Sequence, residues 1–438
     1  MQAFGQLVFG YSTANEDLSV DYVRVRRPDG QIANTPVSSA QDFAPDVLRE
    51  APMYSDFRQK HISVVDLQPG VTLEYHVVTR VKALAAGEFW YEYSFPTYAA
   101  LTDGTLQINV PKSREIKLKS PDRKYDTHDD GDRRIFEWTV RNFVPKRSKR
   151  EEEEDLDNDE PDVQISSFTD WQQISTWYAK LQSERAVPDE SIKARAAELT
   201  RGATSADEKA RRLYDFVAQS IRYVSLSFGI GRYQPHAASE VLQNGYGDCK
   251  DKHTLLQALL SAEGIKSYPV LVHSDRKLDT DVPSPAQFDH VITAAKLGEN
   301  LVWLDSTAEV APYGLIMYGL RNKQAVVASS DSIGGFAAPH LRFLYKTAYQ
   351  RKSQGTRRAR RERGVDRHRR RWFSFARDIP SGASGQLASG SGDGFASVGI
   401  ARRRFRGPHR RAREHHQAFP RHLPHAQSRL LQSTQLSG

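Results

Sequence analysis

Apolar residues recur at every second position through much of the first 160 residues. Val71, Leu73, Tyr75, Val77, Thr79 and Val81 alternate with Thr72, Glu74, His76, Val78 and Arg80, just after the turn pair Pro69-Gly70. The same period runs through Phe89, Tyr91, Tyr93 and Phe95, and through Leu106, Ile108 and Val110. It returns in Phe136, Trp138 and Val140 after the turn signal Asp129-Asp130-Gly131. Short strands between turn signals, with aromatics on one face, predict an antiparallel β-sandwich over residues 1–168. Such aromatic stripes belong to buried sheet faces more often than to binding grooves.

From Thr169 the period becomes helical. Trp171, Ile174, Tyr178 and Leu181 share one face, and Ile192, Ala196 and Leu199 form the face of a second helix that stops near Gly202. Ser205 and Glu208 make a capping box ahead of Ala210, Leu213, Phe216, Val217 and Ile221. Leu255, Leu256, Leu259 and Leu260 give a further apolar stripe that Gly264 closes. A strand over 268–273 follows, then two runs, 290–295 and 301–305, around Leu297-Gly298-Glu299-Asn300, which reads as a β-hairpin. Helices followed by antiparallel strands predict an α+β domain over residues 169–338.

The chemistry concentrates at one junction. Cys249, the only cysteine, stands in Gly245-Tyr246-Gly247-Asp248-Cys249-Lys250-Asp251-Lys252, where a glycine-rich turn enters the helix. The free N–H groups and dipole of a helix start favour a thiolate, the attacking form of cysteine. If Leu297 and Asn300 close the hairpin, His290 pairs with Thr307 and Asp305 lies two residues away on the same face, within diagonal reach. Cys249, His290 and Asp305 then suit nucleophile, base and orienter. His253, four residues along the nucleophile's helix, is the competing base, although a histidine there more often faces a helix surface. Gln234, in Tyr233-Gln234-Pro235-His236, is a weaker candidate for donating to an oxyanion beside the backbone N–H of Cys249. His236 reads as a turn or capping residue, and Asp248 and Asp251 as helix caps.

Together with Phe288-Asp289-His290-Val291 and Trp303-Leu304-Asp305-Ser306-Thr307, the cysteine block resembles the core of the bacterial transglutaminase-like superfamily, relatives of papain-type cysteine enzymes. The resemblance runs from about Trp171 to Val327, and all three catalytic positions match Cys249, His290 and Asp305. It implies a papain-like fold that transfers or hydrolyses an acyl group at an amide, with a protein or peptide as substrate and no cofactor. The upstream region is similar to an uncharacterised β-rich domain that often precedes this core in bacterial proteins. A catalytically idle scaffold with the same fold is the alternative from another class.

Composition changes the picture at the end of the chain. The net charge is +8, yet residues 351–438 hold 21 of the 62 Lys and Arg against 5 of the 54 Asp and Glu, so residues 1–350 are net acidic. Twenty of those 21 are arginine, and 381–399 is mostly Gly, Ser and Ala. No apolar period survives over 339–438, which predicts a tail without a packed core, disordered or read from a shifted frame in a GC-rich gene. A genuine arginine-rich arm would bind nucleic acid, but such arms usually mix in lysine, so no nucleic-acid partner is expected. The acidic run over 151–162 lacks the glycine turn of a calcium loop, and one cysteine excludes a zinc site built from several; no metal is expected. No stretch is long and apolar enough for a transmembrane helix, and Met1 opens no signal peptide. As written the protein reads as cytoplasmic. An upstream start would make it exported, with a substrate of the cell envelope.

Overall fold

The computed structural model describes residues 5–96, 100–144, 160–224, 229–321 and 323–329, with three short strands beyond them. The first part is built from β1 (Gln6–Ser12), β2 (Glu16–Arg26), β3 (Ile32–Thr35), β4 (Gln41–Phe43), the single turn α1 (Val47–Glu50), β5 (Phe57–Ser63) and β6 (Thr72–Val81). It continues with β7 (Trp90–Tyr93), β8 (Leu101–Pro111), β9 (Lys117–Lys119), β10 (Asp126–Asp130), β11 (Arg133–Phe143) and β12 (Val163–Ser166). The alternation read from the sequence sets the buried faces. Leu106, Ile108 and Val110 of β8 lie inward with Phe136, Trp138 and Val140 of β11, in a register that pairs Trp138 with Leu106. Gly131, at φ 59°, supplies the left-handed turn between β10 and β11. The strands form antiparallel groups β1-β5-β4, β6-β2-β3, β10-β11-β8 and β7-β12-β9.

The second part holds α2 (Trp171–Ser183), α3 (Glu190–Leu199), α4 (Ala206–Ser220), β13 (Arg222–Tyr223), α5 (Ala238–Asn244), β14 (Tyr246–Gly247) and α6 (Cys249–Ala262). After these come β15 (Ser267–Val272), β16 (His290–Leu297), β17 (Asn300–Leu304) and β18 (Val326–Val327), which make an antiparallel sheet in the order β17-β16-β15-β18. Helix α6 is central. Its leucines 255, 256, 259 and 260 are fully buried among Ile192, Leu213 and Val217 from the other helices and Ala295 and Leu304 from the hairpin. The expected capping side chain at α4 is present, with Ser205 accepting from the Glu208 N–H at 3.1 Å.

The two parts share one core. Trp90 and Phe168 meet Trp177 and Tyr233, with Trp90 and Trp177 ring centroids 5.4 Å apart, and the same cluster continues to Leu271, Phe288 and Val291. The change of periodicity at residue 169 marks a change of local structure and not a break in packing.

Three strands come from the tail: β19 (Gln386–Leu387) on β7, β20 (Ser397–Ile400) on β8, and β21 (Gln432–Leu436) parallel to β6. Because β20 pairs with β21, the strands join the β8 and β6 groups into one eight-stranded sheet. A ladder needs only backbone N–H and C=O groups, so it forms where composition offers no apolar period. The rest of the tail and the charged run at 145–159 lie outside the described residues.

Candidate active site

The start of α6 is fixed by two glycines and two aspartates. Gly245 closes α5 in the left-handed conformation at φ 71°. A side chain on Gly247 would put its Cβ 2.5 Å from that of Asp251, so only glycine lets the incoming strand pass the helix this closely. Asp248 then caps the helix, accepting from the N–H of Lys250 at 3.1 Å and of Asp251 at 3.2 Å, while Asp251 accepts the Asp248 N–H at 3.2 Å. This reciprocal box leaves Cys249 as the first helical residue, half-buried against the shared core.

The hairpin has the register predicted from its turn. Leu297 pairs with Asn300 and Thr293 with Leu304, which brings His290 Nε2 to 3.2 Å from Asp305 Oδ2. The other oxygen of Asp305 accepts from the N–H and hydroxyl of Thr307, at 3.0 and 2.6 Å. Cys249 is the other group that bears on the imidazole, near enough for its sulfur to favour the charged form of His290. Burial disfavours its charged form, but Asp305 and then Cys249 outweigh burial and hold its pKa well above the ordinary value. Burial likewise works against the Asp305 carboxylate, and His290 and Thr307 overcome it to keep that pKa low.

The other candidates fall out differently. His253 points away from the cysteine: it is buried, its Nδ1 lies 2.7 Å from the Thr293 hydroxyl of β16, and burial pushes its pKa down to about 3. It is a packed neutral histidine. Asp248 and Asp251 cap the helix as read from the sequence. His236 is neither turn former nor cap. Its backbone N–H donates to Asp251 Oδ1 at 2.8 Å, Nδ1 lies 3.1 Å from the same oxygen, and Nε2 lies 3.0 Å from the Met53 carbonyl. Gln234 sits half-buried in the loop just before His236, between Tyr233, whose hydroxyl accepts from Trp90 Nε1 at 2.9 Å, and that tether to α6.

Several supporting groups were not legible in advance. Tyr54 donates to Asp251 Oδ2 at 3.0 Å, Met53 N–H donates to the Tyr246 hydroxyl at 2.9 Å, and Lys250 is buried in an ion pair with Asp248. Burial raises the pKa of Asp248, helped by the charge of Asp251 and opposed by Lys250. Asp251 goes the other way: burial works to raise it, and the hydrogen bond from His236 and the charge of Lys250 bring it below the usual carboxylate range. Lys252 turns inward to the carbonyls of Ala218 and Ile221, at 3.2 and 2.7 Å, where burial pushes its ammonium down to about 8. On the histidine side, buried Arg276 holds Glu92 of β7 through contacts of 2.6 and 2.8 Å. Among the described residues no group of three or more His, Cys, Asp or Glu is placed to hold a metal, and no helix is long and apolar enough to cross a membrane.

Comparisons with known proteins match two stretches of the chain. Residues 1–147 match a family described as a domain of unknown function, DUF3857, and residues 193–304 match the transglutaminase-like superfamily. A "putative protease" from Parabacteroides distasonis has a similar structure, with a TM-score of 0.60 and 20% identity over 76% of this chain. The match spans 64% of that protein's chain, and at this identity the likeness establishes the fold alone. A "putative cysteine protease" from Cytophaga hutchinsonii, 12% identical over 51% of this chain and 77% of its own, has a TM-score of 0.24, too low to carry an argument. No functionally curated protein matches the chain.

Proposed function

Since residues 1–147 match DUF3857 and residues 193–304 match the transglutaminase-like superfamily, and a solved structure of similar fold is described as a putative protease, we propose that the chain is a cysteine enzyme acting on amides by acyl transfer. The observation that carries this reading is the pairing of His290 with Asp305 beside the helix start that bears Cys249, whose sulfur also acts on the imidazole. His290 takes the thiol proton, and the sulfur attacks the amide carbonyl carbon to form a C–S bond and an oxyanion. Collapse of that intermediate breaks the C–N bond, and His290 returns the proton to the leaving amine. An amine or a water molecule, deprotonated by His290, then attacks the thioester carbonyl and releases the sulfur. Asp305 keeps one nitrogen of the imidazole occupied, so that the other faces sulfur throughout. The Cys249 N–H and Gln234 are the proposed oxyanion donors.

A peptide or a glutamine carboxamide on a protein, in the cell envelope if the protein is exported, is the substrate class. Incubation with glutamine-containing peptides, with and without an amine acceptor, tests the reading. An acyl adduct on Cys249 by mass spectrometry, absent in Cys249→Ala, is the expected result. Acceptor-dependent product indicates transamidation, and free acid indicates hydrolysis. A full-length protein whose cysteine takes up neither acyl group nor iodoacetamide would be the idle scaffold instead.

A further inference from the structure

His236 stands where the β-rich region meets the start of α6, and both nitrogens of its ring face oxygens that only accept. Nδ1 lies 3.1 and 3.2 Å from the two carboxylate oxygens of Asp251, and Nε2 lies 3.0 Å from the carbonyl of Met53, 183 residues earlier in the chain. A carbonyl never donates. Asp251 is held as a carboxylate and has no proton to give: its oxygens accept the His236 N–H at 2.8 Å, the Tyr54 hydroxyl at 3.0 Å and the Asp248 N–H at 3.2 Å. A neutral imidazole carries a single N–H and would turn a lone pair toward one of these two partners. The ring that fits is the imidazolium. His253 shows the contrast, because its Nδ1 meets the Thr293 hydroxyl, which can donate or accept, and that ring needs no second proton.

The cation joins two distant parts of the chain. Met53 belongs to the short turn Pro52–Tyr54, whose Met53 N–H donates to the Tyr246 hydroxyl and whose Tyr54 ring meets His236 edge-on, with centroids 5.1 Å apart. Behind the turn, Leu48, Ala51, Tyr54 and Tyr246 form a small buried cluster of their own. With so little apolar surface beneath it, the turn depends on its polar contacts to α6. The His236 side chain is 23% exposed, so it exchanges protons with solvent without unfolding. The titratable and charged groups around it are Asp248, Lys250 and Asp251 on α6, Tyr54 on the turn, Tyr246 on β14 with the Arg222 guanidinium over its ring, and Glu240 of α5, which accepts the Ala237 N–H. Burial opposes the charge and so does Lys250, but Asp251 prevails and raises the pKa of His236 above its ordinary value.

We propose that protonated His236 is a pH-sensitive latch, which holds the Pro52–Tyr54 turn of the β-rich region to the start of α6 and releases it when the ring loses its proton. The latch is fully closed below about pH 6.5 and opens as pH rises through the folded pKa. Release is local, because the core shared by the strands and helices contains none of the turn's residues.

Amide exchange of the full-length protein at stepped pH, corrected for the intrinsic pH dependence of exchange, tests this. Protection of Met53 and Tyr54 should fall about tenfold as the latch opens, the effect of losing one hydrogen bond to a charged group, while β16 stays protected. In His236→Gln that protection should be low already at acid pH and should not change further. Histidine-selective NMR of the wild type should show His236 titrating above pH 6.5, with an N–H on both ring nitrogens below its midpoint. A midpoint at or below 6.5 overturns the proposal, and so does wild-type protection of the turn that ignores pH. A fall shared equally by β16 would be global unfolding and would overturn it too, as would a pH-dependent fall that persists in His236→Gln.

Discussion

The two halves of the candidate site are held by different physics. On the cysteine side, Asp248, Lys250 and Asp251 are buried with His236 and Tyr54 close around them; both carboxylates have several partners, and the Lys250 ammonium pairs with Asp248. On the histidine side, an apolar sheet carries the pair of His290 with Asp305, steadied by Thr307, and the ion pair of Arg276 with Glu92 stands apart from it. The helix start is thus over-determined by short polar contacts, while the hairpin is positioned by its turn and its packing. Removing a partner should unfold the first half before it disables chemistry, and should disable chemistry in the second half before it unfolds anything.

The largest effect expected is on the hairpin side. Asp305→Asn keeps the volume and the Thr307 contacts but lets the imidazole present the wrong tautomer, so turnover should fall by about 10⁴-fold, as it does when other triads lose this carboxylate. Its urea midpoint should barely move. A midpoint shift as large as the activity loss would show that the pair is structural and erase the contrast.

Next comes Asp251→Ala on the helix side. It strips the partner from His236, Tyr54 and the Asp248 N–H at once and leaves Lys250 with a single counterion. Breaking a buried charge network of this kind typically costs about 3–5 kcal/mol. Equilibrium unfolding should show that loss, and alkylation of the fraction that stays folded should be nearly normal. A fully stable but unreactive variant would place Asp251 with the chemistry.

What the sequence disclosed follows the same division. Register in a hairpin is local information, and Leu297-Gly298-Glu299-Asn300 pinned it, so the meeting of His290 and Asp305 could be worked out from residue spacing. The cap at Asp248 was equally local. Tyr54 and Asp251 stand 197 residues apart, and nothing in either neighbourhood signals the other. The burial of Lys250 and Lys252 was hidden for a related reason: a lysine beside a polar helix start reads as exposed, and only the packed structure shows Asp248 and the carbonyls at the end of α4 receiving them. His236 was misread as a local turn residue because its partners, Asp251 and Met53, come from elsewhere. The sharing of one core between the strands and the helices was also invisible, since periodicity reports which face is apolar and not what covers it.

Acid and alkali should separate the histidines. Folding holds His253 neutral down to about pH 3, whereas an unfolded histidine takes up a proton near 6.5. Stability is therefore lost as pH falls from about 6.5 toward 3, at up to about 1.4 kcal/mol per pH unit for this one group. His236 has the opposite sign. Burial works against its charge, but Asp251 raises its pKa, so its contribution is complete below the unfolded value near 6.5 and is lost as pH rises through the folded one. In denaturant titrations at stepped pH, His253→Gln should flatten the acid limb and His236→Gln the alkaline limb. An unaltered acid limb in His253→Gln would mean that its burial between α6 and β16 carries no linkage.

The smallest effect sharpens the comparison most, because it asks whether the β-rich region takes part in holding the cysteine. Tyr54→Phe deletes one hydroxyl and keeps the ring, whose centroid lies 5.1 Å from that of His236 in an edge-on contact. The lost bond ends on a carboxylate, where such bonds contribute about 1.5–3 kcal/mol. Asp251 retains His236 and the Asp248 N–H, so the net loss should sit near the lower end of that range. If the strap over Pro52–Tyr54 braces the helix, the loss should appear in the urea midpoint and as faster amide exchange in the first turn of α6. Exchange should stay slow in β16, which Tyr54 does not touch. Equal acceleration in both would mean that the two halves unfold as one unit and that the division drawn between them fails.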